Sequence, residues 1–254
     1  MRRDLDDILQ SWPFDPSTGE VIAREVTSRN RRRVVQVRVE LGLLQMEVEG
    51  RPDGHRPHGF ATYLDYLRSR VKPPGRKANP GWKMEPEHCA EADREFIQFY
   101  HRRVAWLALQ KFDRALVDAD HTLAMMDFVA RHGMNEDYIQ THERLRGLVL
   151  FHRTQAAAAL ALEGHKPDEA VDAIRDGIGR LTGTDGRWAI ESEEEGGAEV
   201  PLVEQLRHIE REIRKHFAVP KTLREQLDEA VQREDYERAA RLRDEIKARA
   251  TRSR

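Results

Sequence analysis

The chain has 254 residues, 39% hydrophobic and 35% charged. That charged share stands well above the roughly 25% of ordinary globular domains, so a thin core behind heavily charged helix faces is expected. The 43 basic and 45 acidic residues leave a formal charge of −2, which gives no global field to steer the chain onto nucleic acid or an anionic membrane.

The single cysteine, Cys89, excludes an internal disulfide scaffold. The N-terminus shows no apolar run of the secretory kind. No stretch approaches the roughly 18 apolar residues of a membrane span. The cytoplasm is the expected location, without a membrane partner.

In chain order, residues 4–11 predict a short helix, broken at Trp12-Pro13-Phe14. From Val21 the pattern turns to β. Val35, Val37 and Val39 alternate with Gln36, Arg38 and Glu40, a period of two. With residues 21–26 and a strand over 43–48, this predicts a three-stranded antiparallel meander with one buried face. Residues 50–59, GRPDGHRPHG, are too rich in Gly and Pro for a helix or strand interior. A helix is expected over 60–71, then a Pro/Gly connector over 72–82. Helical periodicity follows over 91–110, 113–131, 137–163, 167–181 and 202–217, with an acidic, glycine-spaced loop at 182–199. Two last helices are expected over 223–232 and 236–249.

Chemistry-bearing constellations are few. There is no Walker-type phosphate loop, no G-x-S-x-G and no H-E-x-x-H. His88-Cys89 with His55 and His58 lacks the several cysteines of a zinc cluster, so neither metal nor cofactor is expected. The constrained loop carrying Arg51, His55, Arg56 and His58 could hold a phosphate, a carboxylate or a partner. The bland alternative is a loop wedged between sheet and helix, with Arg51 and Asp53 paired structurally. Arg29, Arg31, Arg32 and Arg33 form a basic hairpin tip. Nucleic-acid contact there would lack interleaved aromatic residues for stacking, and a solvated tip is the plainer alternative.

Two stretches in the middle, starting at Trp106 and Ala159, place Ala115 and Ala170 just after a turn, with Phe112 at the first turn and Gly164 at the second. They resemble tetratricopeptide repeats, although they lie about 55 residues apart where the family spaces its copies by about 34. An ordinary helical bundle with alanines at close crossings accounts for the same pattern.

The C-terminal residues 223–249 space Leu223, Leu227, Ala230 and Val231 along one helix. They space Tyr236, Ala239, Ala240, Leu242, Arg243 and Ile246 along the next. Paired alanines let two backbones approach closely, and Glu234-Asp235 suit the positive N-terminus of the second helix. Ala230-Val231, the run from Glu234 to Glu237, Ala239-Ala240, the run from Leu242 to Asp244, and Ile246 resemble the UVR motif. That motif stands at the end of UvrB, inside UvrC and in regulators of bacterial Clp proteases. The resemblance implies a docking hairpin that pairs with a counterpart, with UvrB/UvrC-like or Clp-protease-related partners or a second copy.

The expected fold is α+β, mostly α. It comprises a β-meander with a helix and connector (1–82), a tetratricopeptide-like helical domain ending in the acidic loop (83–199), and a helix with the hairpin (200–254). The expected function is a non-catalytic bacterial adaptor acting in nucleotide excision repair or regulated proteolysis. The alternative is a nucleic-acid-binding accessory factor working through the basic tip.

Overall fold

The computed structural model describes residues 5–72, 75, 77, 79–183 and 201–252; the expected acidic loop lies almost entirely outside them. The described chain is mostly helical, with one small sheet. It divides into two compact units, Met1–Ala156 and Ala157–Arg254. The sheet shares a unit with the first long helices.

In the first unit a short helix α1 (Asp6–Ser11) precedes three strands, β1 (Ile22–Thr27), β2 (Arg33–Val39) and β3 (Gly42–Glu47). They form an antiparallel meander in the order β1-β2-β3, with Val35 opposite Glu25 on one side and Met46 on the other. Val35, Val37 and Met46 pack with Ala105, Trp106 and Ala115. The other face corrects the expectation of a sheet buried on one side only, because Gln36 and Arg38 are buried too. Gln36 accepts from Arg24 Nε at 2.8 Å and donates to Gln45 at 2.9 Å. Arg38 donates to the carbonyls of Trp12 and Gly42, and the Arg24 guanidinium lies 4.0 Å over the Trp12 ring. The N-terminal segment thus covers the polar side of the sheet, and its groups are satisfied as burial requires.

A 3-10 turn at Pro57–Gly59 leads to α2 (Tyr63–Val71). This helix starts three residues later than the expected 60, because the Thr62 side chain accepts from Asp65 N and caps it. The next helices are α3 (Pro86–Ala108) and α4 (Phe112–His132). Glu85 and His88 cap the start of α3 reciprocally, which gives His88 a local role. Cys89 beside it is buried, and burial pushes its thiol pKa up.

The helix expected over 137–163 is two, α5 (Glu136–Glu143) and α6 (Arg146–Glu163). At the junction Leu145 N bonds the carbonyl three residues back, His142 O. Arg146 grips Glu143 at 2.7 Å and reaches Asp127 of α4 at 2.9 Å. Gly147, directly after Arg146, weakens the helix locally, and the hold on Arg146 fixes the direction taken after the break.

Buried charge is the distinctive feature of this unit. Arg102 meets Asp118 through two bonds, of 2.9 and 2.7 Å, and also donates to the carbonyls of Glu47 and Gly50. It thereby ties α3, α4 and the end of β3 together. Glu95, 1% exposed, accepts from the backbone N–H groups of Tyr63 and Leu64 and lies 2.9 Å from His121.

The second unit holds α7 (Pro167–Thr182), α8 (Leu202–Phe217), α9 (Leu223–Gln232) and α10 (Tyr236–Arg252). α7 packs against α8, and α9 against α10.

One turn recurs among the described residues, at Gln110, His165, Ala218 and Glu234, and three of the four share a further feature. Gln110, His165 and Glu234 each adopt a left-handed backbone, with φ of 55°, 56° and 59°. After each, the next N–H reaches five residues back: Lys111 to Trp106 O, Lys166 to Ala161 O and Asp235 to Ala230 O, at 2.8–2.9 Å. This is a Schellman closure made without glycine at the left-handed position. Four residues beyond each of these closing residues stands a buried alanine, Ala115, Ala170 or Ala239. Two of these copies carried the expected repeat. The third lies in the C-terminal hairpin.

Candidate docking site at the C-terminal hairpin

α9 begins at a capping box. Thr222 Oγ1 accepts from Glu225 N at 3.3 Å, and Glu225 Oε2 accepts from Thr222 N at 2.7 Å. Both side chains do a second job. Thr222 donates its hydroxyl to Asp172 of α7 at 2.6 Å. Glu225 forms ion pairs with Arg175 of α7 and, at 2.8 Å, with Arg214 of α8. Two residues therefore start the hairpin and fasten it to the helices before it.

The Asp235 carboxylate accepts from Arg238 N at 3.1 Å and caps α10. Within the hairpin Ala230, Ala239 and Leu242 are buried together, flanked by Leu223 and Leu227. Ala240 and Ile246 are half-buried. Val231 and Tyr236, of the same hairpin set, point outward at 51% and 67% exposure. One residue step turns a helix by about 100°, so the stripe that continues through Ala230 leaves Val231 to the side. Arg243 is exposed and pairs with Asp244 at 3.0 Å.

Beside the hairpin runs a groove of about 430 Å³. Its apolar lining comes from Ala157 and Ala161 of α6, Ala173 of α7, Leu223 and Ile246. Its rim carries the carboxylates of α7, Asp168, Asp172 and Asp176 at four-residue spacing with Glu169 alongside, and Arg224 of α9, 3.7 Å from Asp172. Burial holds the Asp172 carboxyl above its ordinary range; the Thr222 hydrogen bond and Arg224 oppose that shift, while Asp168 and Glu225 add to it. This groove was not anticipated from sequence. Two of its signals stand there all the same: the Thr222-to-Glu225 box and the one-turn spacing of the α7 aspartates.

The other expected site residues lie in the first unit. Arg51 is buried, 3% exposed, with its guanidinium 3.2 Å from Asp53, 3.0 Å from Glu91 and 4.0 Å from Glu95. The pairing with Asp53 is therefore present and extends into α3. His58 stacks on Tyr66 with ring centroids 3.9 Å apart. His55 and Arg56 are exposed. The structure thus does not bring the four loop residues together around one opening. At the basic tip Arg32 pairs with Glu47 and Arg33 with Glu25, while Arg29 and Arg31 are exposed.

Residues 221–248 match the family model described as the UvrB/uvrC motif, UVR. The match begins at Lys221 and so includes the capping box. No curated protein and no solved structure matches the chain. The motif is known in UvrB, UvrC and related proteins, and is generally involved in protein–protein interaction. Among the described residues no helix is long and apolar enough to cross a membrane.

The Glu225 clamp has a pH dependence of definite sign. Burial raises the Glu225 pKa, but Arg214, the Thr222 N–H and Arg175 outweigh it and hold the carboxyl below its ordinary range. A depressed carboxylate stabilises the fold above its unfolded pKa, about 4.3, and that contribution is lost as pH falls through the folded value. Asp172, raised, works the other way, its contribution being lost as pH rises through its folded value. Glu225→Gln is expected to cost about 1–2 kcal/mol at neutral pH and to flatten the acid limb of the unfolding curve. Thermal melts of the two proteins between about pH 3 and 6 check this; parallel limbs in both would contradict it.

Proposed function

We propose that the chain is a non-catalytic adaptor that docks partner proteins through its C-terminal hairpin. The observation that carries this is the UVR match over 221–248 on a hairpin that leaves Val231 and Tyr236 at its surface. Exposed large apolar side chains beside a charged helix supply the buried centre that an interface needs. By resemblance to UvrB and UvrC, where this hairpin joins two proteins, the partner is a UvrB/UvrC-like protein in a repair setting; a Clp-protease-related partner is the other setting. Cytoplasmic location belongs to the same proposal. The basic tip supports a nucleic-acid role poorly, since two of its four arginines are engaged by Glu25 and Glu47.

The test uses full-length protein and purified UvrB and UvrC as probes. Val231→Asp with Tyr236→Asp is expected to weaken binding at least about tenfold, 1.4 kcal/mol, without changing the melting temperature of the first unit. Binding at unchanged affinity would overturn the docking role of this surface.

A further inference from the structure

Thr222 and Glu225 divide their atoms between two tasks. Inside the hairpin, Thr222 Oγ1 accepts from Glu225 N, and Glu225 Oε2 accepts from Thr222 N. Toward the preceding helices, the Thr222 hydroxyl donates to Asp172, Glu225 Oε1 pairs with Arg175, and Glu225 Oε2 meets Arg214 at 2.8 Å. Arg224 adds a longer pair with Asp172, at 3.7 Å. The outward bonds can break without undoing the inward ones. Fastened or not, the hairpin keeps its capping box and its seam of Ala230, Ala239 and Leu242.

The connection to α8 is short and strained. Residues 218–221 join the end of α8 to the N-cap of α9. Ala218 sits at φ 49°, in the left-handed region that an alanine occupies at a cost. Hinges are a few residues of this kind at the ends of elements. Arg214 holds the link, donating to Pro220 O at 3.1 Å as well as to Glu225. The Arg175, Arg214 and Glu225 side chains are all partly exposed, so water and salt compete with each bond. Behind them the fit is loose, because Leu223 and Ile246 share the groove of about 430 Å³ with Ala157, Ala161 and Ala173.

We propose that these bonds form a clasp that holds the hairpin in an autoinhibited position, and that the hairpin swings out as a body about residues 218–221 when the clasp opens. Closed, it turns Leu223 and Ile246 toward its own helices. Open, it adds both to the surface offered to the partner. This rests on the docking role proposed above and supplies its regulation. A chain that binds only when open shows an affinity reduced by the fraction of open molecules.

The experiment places spin labels on the full chain at Arg180→Cys of α7 and Arg241→Cys of α10, and reads their separation by pulsed electron paramagnetic resonance. Both side chains are exposed and pair within their own helices, outside the clasp, and Cys89 is buried. Asp172→Ala, Arg175→Ala and Arg214→Ala together remove the clasp and leave both capping-box residues in place. The labelled parent chain at low salt should give one narrow distance. The triple variant should add a second, longer distance, and so should the parent at about 1 M salt, where screening shortens to about 3 Å. Purified UvrB or UvrC should bind the triple variant at least about threefold more tightly than the parent. One unchanged distance under all three conditions overturns the proposal. A widened distance with unchanged affinity also overturns it, and leaves the docking role standing. A widened distance with no binding by either protein supports the clasp and removes the docking role instead. Circular dichroism checks the helix content of the triple variant; if it is lost, the salt series on the parent chain decides.

Discussion

Arg102→Ala is expected to destabilise the first unit by about 3–5 kcal/mol, enough to unfold it or nearly so. The guanidinium is buried, meets both oxygens of Asp118, and satisfies the Glu47 and Gly50 carbonyls where the sheet ends. Removing it leaves a buried carboxylate without its counter-charge and two carbonyls without a donor. Replacing both partners, Arg102→Met with Asp118→Leu, should recover a large part of the loss, since the desolvation cost of the pair disappears with the pair. Denaturant unfolding followed by near-UV circular dichroism separates the two cases. A loss below about 1 kcal/mol for Arg102→Ala would place the pair among the weak surface bridges.

Ala239→Glu is the second large effect, and it should be confined to the hairpin. Ala239 lies in the seam with Ala230 and Leu242, at the same step after the turn as Ala115 and Ala170. A glutamate there adds volume where two backbones meet and buries an unpaired charge, a cost of several kcal/mol. The hairpin has few other apolar contacts, so it is expected to open. The docking proposed for the hairpin should vanish, and the melting of residues 1–156 should stay unchanged. Ala240→Glu, at the half-buried neighbouring position, should cost about 1 kcal/mol or less. Equal damage from both would mean that the seam does not run through Ala239.

The sequence made some of this fold legible for physical reasons. The meander was readable because Val35, Val37 and Val39 alternate, and because pairing of β1, β2 and β3 is between chain neighbours. The hairpin was readable because its alanines repeat at helical spacing next to a turn. The buried second face of the sheet was not, because Gln36 and Arg38 look like solvent-facing residues until Trp12 arrives from far along the chain. The break between α5 and α6 has only Gly147 as a local signal; the rest of it follows from Arg146 reaching Asp127 on another helix. The groove was hidden for the same reason, being assembled from α6, α7, α9 and α10. Val231 and Tyr236 were recognised as hairpin residues, but their outward direction was not legible, since a motif match ranks positions without orienting them.

The three left-handed turns at Gln110, His165 and Glu234 bear on the order in which the chain assembles. Each joins helices adjacent in sequence and closes through bonds spanning only five residues. Loop closure over such short distances takes about 10–100 ns, and helix growth runs to about a microsecond. The packing of Val35 and Val37 on Ala105 and Trp106, by contrast, joins positions some seventy residues apart and meets a larger closure entropy. The helical pairs are therefore expected to form early and independently, with the arrival of a finished meander on a finished α3–α4 pair as the slow step of the first unit. Since the left-handed residue at each turn is not glycine, each closure is also held against a strain of about 1–2 kcal/mol, so the buried alanine five residues on is expected to pack before the turn becomes permanent.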